Sequence, residues 1–208
     1  MTRRILVGVL TLLVAVPLAA QAPKGWLVRI DRSTAATDPD ASGVVKFMAM
    51  GSGFHAITPQ AGVFWNPANT TTGTYTLKGN FTLMKPSDHT NYYGLVFGGS
   101  SLGGAAQKYL YFLVAQDGTW LLKQRDGEAT RDVSRGSGNA VRRPDASGRS
   151  VNALEVRAAA DKIDYVVNGT VVGTTPKTGL TATTDGLYGI RVNHLLEVMV
   201  DGLAVSRP

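Results

Sequence analysis

The stretch Tyr92–Gly127 reads YYGLVFGGSSLGGAAQKYLYFLVAQDGTWLLKQRDG. It contains three short apolar runs, Tyr92–Phe97, Tyr109–Ala115 and Thr119–Arg125. Gln116, Asp117 and Gly118 join the last two runs, and Asp126 and Gly127 close the third. Asp-Gly supplies the positive φ angles that tight hairpins need, so aromatic runs on either side of it read as a β-hairpin. Strands covered on both faces lose strict alternation. These three runs are therefore expected to be central strands of an antiparallel sandwich.

The strands expected around this centre are shorter and more alternating. In Thr74–Met84, Tyr75, Leu77, Phe81 and Leu83 fall on odd positions and Thr76, Lys78, Asn80 and Thr82 on even ones. That period of two marks a half-buried strand. Trp26–Ile30, Val44–Met50, Phe54–Thr58 and Gly62–Trp65 are read as strands before it, and Asn66–Gly73 as a polar loop. Val151–Ala158, Lys162–Val167, Thr170–Gly173, Gly186–Val192 and Leu195–Val205 are read as strands after it. Asn168 and Gly169 supply a second hairpin signal. The segment from Glu128 to Ser150 is polar, with Arg131, Arg135, Arg142, Arg143 and Arg149, and is read as a solvated excursion with one short strand near Ala140–Arg142. No segment of helical length sustains a 3.6-residue period, so the fold class is all-β, a sandwich or barrel.

The chain has 208 residues, enough for one domain with a substantial core. Arg3 and Arg4 precede an apolar run from Ile5 to Val16, followed by Pro17 and the small residues Ala19, Ala20 and Ala22. That order reads as a secretory signal peptide over 1–20, followed by a linker over 21–25 and a β-sandwich domain over 26–208. The apolar run is shorter than the roughly 20 residues of an ordinary membrane span. Export to the periplasm or the cell exterior is expected, without stable membrane insertion after cleavage. The chain has no cysteine, which excludes disulfides, thiolate metal sites and a cysteine-linked lipid. The net charge is +6, of which Arg3 and Arg4 supply two, leaving +4. A modest excess of this kind serves solubility and lacks the clustered basic face of a nucleic-acid binder.

Several residues stand out as site candidates. His89 lies in Ser87–Asn91 and His194 follows Asn193. With His55 they are suited to metal binding or to acid–base work if the fold brings them together, and to surface or capping roles if it does not. Trp65, Asn66 and Tyr92 are candidates for a sugar-stacking groove, because aromatic rings pack on the apolar C–H faces of sugars. Trp120 and Tyr93 are read as core. Arg125 and Arg191 lie on expected strands and join the ligand-binding candidates. The pairs Asp38 and Asp40, and Asp161 and Asp164, are candidate calcium ligands or turn caps. Gly98, Gly99, Gly103 and Gly104 lack the following Lys and Ser/Thr of a phosphate loop.

The order YYGLVFGG, YLYFLVAQDGTWLLKQRDG, VNALEVRAAADKIDYVVNGTVVGT and GLYGIRVNHLLEVMVDGLAV resembles the concanavalin A-like, laminin-G-like jelly rolls of secreted bacterial proteins. It looks nearest to the 3-keto-disaccharide hydrolase group, formerly a domain of unknown function. The resemblance covers roughly Trp26 to Val205 as a pattern. It implies a two-sheet antiparallel jelly-roll sandwich, and calcium is common in that superfamily. Members bind glycans or proteins, or hydrolyse glycosides, and the fold does not choose among these. The Glu-x-Asp-x-Glu strand of laminarinase-type glycosidases is missing, since Glu128, Glu155 and Glu197 sit in no such triplet, and that hydrolysis needs two closely placed carboxylates. The expectation is thus an exported, non-catalytic module with a glycan partner. The alternatives are a sugar-active hydrolase and a protein-interaction domain with a protein partner.

Overall fold

The computed structural model of the chain describes residues 23–208. The expected signal peptide and the first residues of the expected linker lie outside the described residues. Fourteen strands follow in order. They are β1 Leu27–Asp31, β2 Lys46–Met50, β3 Gly53–Thr58, β4 Ala61–Thr71, β5 Tyr75–Lys85, β6 Tyr92–Ser100 and β7 Lys108–Ala115. Then come β8 Thr119–Asp126, β9 Ala129–Ser137, β10 Ser150–Ala158, β11 Lys162–Val167, β12 Thr170–Pro176, β13 Gly186–Val192 and β14 Leu196–Ser206. One 3-10 turn, Gly179–Thr181, is the only helical element among the described residues.

The strands form two seven-stranded antiparallel sheets. The first runs β1-β4-β13-β6-β7-β8-β9 and the second β12-β11-β10-β5-β14-β3-β2. Their inner faces share one core. Tyr93, Leu95 and Phe97 of β6 and Leu110, Phe112 and Val114 of β7 meet Tyr75, Leu77, Phe81 and Leu83 of β5 and Leu154 and Val156 of β10. Trp120 belongs to this core, as its sequence context implied. The outer face of the first sheet carries a second apolar cluster, with Val63, Trp65, Val96, Leu102, Tyr109, Tyr111, Leu113 and Leu121. In β7 the two clusters alternate residue by residue. That is why the stretch from Tyr109 to Ala115 shows no polar positions.

Two expected loops are strands. Asn66–Thr71 continues β4, and the register against β13 shifts between Leu187 and Gly189, which face Thr70 and Trp65. The extra residues form a bulge that accommodates Pro67, whose missing N–H would break a regular ladder. The Arg-rich excursion begins with β9, paired along its length with β8 at the sheet edge. Arg131 and Asp132 are exposed there, and charged side chains are how an edge strand avoids further pairing. The short strand expected near Ala140–Arg142 does not form. Instead Val141 is buried in the core, and Asn152 holds its neighbour. Asn152 Oδ1 accepts from Arg142 N (2.8 Å) and Asn168 Nδ2 (2.9 Å), while its Nδ2 donates to Arg142 O (3.1 Å). Asn152 is fully buried. Asn152→Ala is therefore expected to destabilise the protein by about 1–3 kcal/mol, because it leaves the part-buried N–H and C=O of Arg142 without their partner. Urea unfolding at equilibrium checks this, and a change below 0.5 kcal/mol would show that the latch is immaterial.

Candidate functional site

A polar cleft of about 270 Å³ opens at one end of the first sheet. Asp31, Asp38, Asp40, Asn91, Arg125, Arg191, Asn193 and His194 are among its walls. A larger cleft of about 680 Å³ lies between the edge strands β1 and β2, lined by residues such as Val28, Ile30, Val44 and Phe47. That one is apolar and holds no cluster of titratable groups, so the chemistry points to the smaller cleft.

Arg191 is the centre of the polar cleft. It sits on β13 between Val63 of β4 and Gly94 of β6. Its Nη1 donates to Asp31 Oδ2 (2.5 Å) and Tyr109 Oη (3.1 Å), and its Nε donates to Asn193 Oδ1 (3.2 Å). Its guanidinium carbon lies 5.4 Å from the centre of the Tyr111 ring, within cation–π range. Arg29 Nε donates to the other Asp31 oxygen (2.9 Å) and Arg29 Nη1 to Gly104 O (2.7 Å). The Arg191 and Asp31 side chains are only 13 % and 10 % exposed.

This burial shapes the charges. Burial pushes the Asp31 pKa up, but the Arg191 charge and hydrogen bond, with Arg29, outweigh it and hold the carboxyl below its ordinary value. Burial likewise works against the Arg191 charge, and Tyr109, Asp31 and Tyr111 outweigh it. Tyr111 is pushed up to about 12, chiefly by burial. The result is a fixed cation with its counter-ion at the base of an open cleft.

Three loops make the cleft rim. Residues 32–45 between β1 and β2 bring Asp38 and Asp40, the β5–β6 loop brings His89 and Asn91, and the β13–β14 turn brings Asn193 and His194. The strand order explains the meeting: β13 pairs with β6 and β14 with β5, so loops distant in sequence leave the same end of the sandwich. His194 Nδ1 lies 3.0 Å from Asp40 Oδ1. His194 Nε2 lies 3.1 Å and His89 Nε2 2.8 Å from Asp38 Oδ1.

Of the seven ligand-binding candidates, Arg125, Arg191 and His194 line the cleft, and His89 touches His194 at 3.4 Å. Trp65 is elsewhere and offers no open ring. It is 4 % exposed within the outer apolar cluster, and Gly103 lies over its edge. Asn66 turns its oxygen to Ala68 N (2.9 Å) beside the bulge. Tyr92 packs against the outer cluster and pairs its hydroxyl with Thr119 Oγ1 (3.0 Å). His55 pairs with Glu197 on the second sheet (2.9 Å) and does not join the other two histidines. Asp161 is exposed, and Asp164 is taken up by Thr174 and Lys162. Sequence reasoning missed Asp31, Asn91, Asn193, Tyr109 and Arg29. Asp31 reads as an ordinary first residue of a loop, and nothing in the spacing ties it to a residue 160 positions away.

No known family model matches the chain, and no curated protein sequence matches it. The resemblance to the keto-disaccharide hydrolase group thus rests on sequence pattern alone. Among solved structures, the chain is similar to the carbohydrate-binding module CBM66 from Bacillus subtilis, with a TM-score of 0.62 at 10% identity. That alignment covers 88% of this chain and 96% of the module. A protein of unknown function with a galectin-like fold from Bacillus subtilis gives a TM-score of 0.58 at 13% identity, covering 88% of this chain and 89% of that one. The carbohydrate recognition domain of Emp46p gives 0.53 at 12% identity, covering 87% and 86%. At these identities the likeness is one of fold. The chain is an all-β, two-sheet antiparallel jelly-roll sandwich.

Proposed function

We propose that this protein is a carbohydrate-binding module that takes a sugar in the cleft around Arg191. The observation that carries this reading is the network of Asp31, Arg191, Tyr109 and Asn193 at the cleft base. Adjacent sugar hydroxyls are both donors and acceptors. They are met best by planar carboxylate, amide and guanidinium groups that are already fixed in place, because little entropy is then lost on binding. Two of the similar structures are described as carbohydrate-binding or carbohydrate-recognising, which supports the reading without choosing a sugar. Glu155 is engaged by Arg157 and Glu197 by His55, both on the second sheet, so neither offers the cleft a carboxylate for laminarinase-type hydrolysis. The basic and apolar N-terminal segment supports export, and among the described residues no helix is long and apolar enough to cross a membrane.

Arg125 is the residue to change. It lines the cleft, and its Nε is held by Gly127 O (2.6 Å), so its loss breaks none of the hydrogen bonds of the Asp31–Arg191 pair. A panel of oligosaccharides and polysaccharides should contain at least one ligand measurable by calorimetry. Arg125→Ala should weaken it by about 10- to 100-fold, the cost of a charged hydrogen bond. No binding to any glycan at millimolar concentration would falsify the proposal. Equal binding by Arg125→Ala would move the site away from this cleft, and release of sugar products would replace the module by a hydrolase.

A further inference from the structure

Asp38 Oδ1, His89 Nε2 and His194 Nε2 form a triangle with sides of 2.8, 3.1 and 3.4 Å. The two imidazole rings meet edge to face, at 83° with centroids 5.5 Å apart. Hydrogen bonding alone does not satisfy every atom of this arrangement. Asp40 Oδ1 sits 3.0 Å from His194 Nδ1 and Asp38 Oδ1 3.1 Å from His194 Nε2, so a carboxylate faces each nitrogen of that ring. His89 Nε2 is in turn surrounded by Asp38, His194 and the Asn91 amide nitrogen at 3.0 Å, and a single ring nitrogen has one proton or one lone pair to offer. A cation at the centre of the triangle satisfies all three atoms at once. With metal–ligand bonds of about 2.0–2.1 Å, donor atoms around a tetrahedral or octahedral ion stand about 2.9–3.4 Å apart. The observed sides fall close to that range.

We propose that Asp38, His89 and His194 bind a first-row divalent metal ion of the zinc type, with Asp40 orienting His194. Two imidazole nitrogens and one carboxylate suit zinc, cobalt or nickel, whereas calcium and magnesium prefer oxygen throughout. The carboxylates of Asp38 and Asp40, candidates for calcium on sequence grounds, here each face an imidazole nitrogen. His194 is buried, with its side chain 7 % exposed, while His89 and Asp38 are 44 % and 46 % exposed. The ion therefore has a buried anchor on the sandwich and an open side toward solvent. Because Asp38 belongs to the loop 32–45, its coordination ties that loop to the rim of the cleft. Asp38 and His194 line the cleft, so the open positions of the ion lie next to the groups that the proposed sugar would meet. The metal site itself does not depend on a sugar binding there.

The test is calorimetric titration of the chelator-stripped mature protein with Zn²⁺, Co²⁺ and Ca²⁺ separately. One equivalent of Zn²⁺ should bind, and Co²⁺ should develop the visible d–d absorption of a nitrogen-ligated ion. His89→Gln and Asp38→Asn alter exposed side chains and should keep the fold by circular dichroism while losing at least tenfold in Zn²⁺ affinity. Asp40→Asn should lose about 10- to 100-fold, the usual effect of removing an orienting carboxylate. His55→Gln, on the second sheet, should bind as the parent does. Absence of stoichiometric Zn²⁺ and Co²⁺ binding overturns the proposal. So does undiminished binding by both His89→Gln and Asp38→Asn, or a preference for Ca²⁺ over Zn²⁺.

Discussion

Asp31→Ala should lower the unfolding free energy by about 3–5 kcal/mol, the cost of removing one partner from a buried ion pair. Arg191→Met should cost less, about 2–3 kcal/mol. The asymmetry comes from what each survivor can do. Without Arg191, Asp31 keeps Arg29 at 2.9 Å and can take up a proton. Without Asp31, Arg191 retains only Tyr109 and Asn193 as polar partners, and a guanidinium does not give up its charge. The double variant should be more stable than the sum of the single losses predicts, since it leaves no unpaired charge. The pair also sets an acid dependence. The Asp31 pKa is lower in the folded state than its ordinary value. Its contribution is therefore fully present above the unfolded value, about 3.9, and is lost as the pH falls through the lower, folded value. Urea melts at a series of pH values from neutral downward should show this loss in the parent and its absence in Asp31→Ala. Equal stability of parent and Asp31→Ala at neutral pH would mean that the pair is solvated and carries no binding site.

The sandwich is legible in the sequence where burial follows the strand period. Tyr75, Leu77, Phe81 and Leu83 announce β5, and the Asp-Gly and Asn-Gly turns place the hairpins β7–β8 and β11–β12. β9 escapes because it buries little of its own surface. Its residues read as solvent-facing, and backbone pairing with β8 makes the strand. The tail of β4 escapes because Asn66 and Pro67 are loop-like residues, and a bulge is where a strand tolerates them. The candidate site is less legible for a topological reason. His89 and His194 are 105 residues apart, and only the neighbouring of β6 with β13 and of β5 with β14 brings their loops together. Trp65 misled for the opposite reason. A tryptophan before Asn-Pro suggests a strand end at a groove, but the strand continues and the ring is covered on the outer face.

Gly94→Ala should destabilise the protein by about 2–4 kcal/mol, and it tests the centre of the architecture more sharply than a core truncation does. Gly94 sits in the middle of β6, between Arg191 of β13 and Leu113 of β7. Its φ is +157°. A Cβ added there would press on the Phe112 carbonyl oxygen, lie 2.9 Å from Leu154 Cδ1 and 3.0 Å from Leu113 Cα. A side chain can rotate away from an added methyl group. A carbonyl oxygen and a Cα in the adjacent strand can move only if the β6–β7 ladder shifts with them. Backbone strain and overpacking each cost about 1–3 kcal/mol, and a ladder shift would in addition displace Arg191 from Asp31. Gly138 is the matched control, because an added Cβ there meets nothing within 4 Å. Gly138→Ala should change stability by less than about 0.5 kcal/mol. If Gly94→Ala unfolds at the same urea concentration as Gly138→Ala, β6 and β7 are not packed in this register. The base of the cleft would then be built differently, because Arg191 of β13 is paired directly with Gly94 of β6.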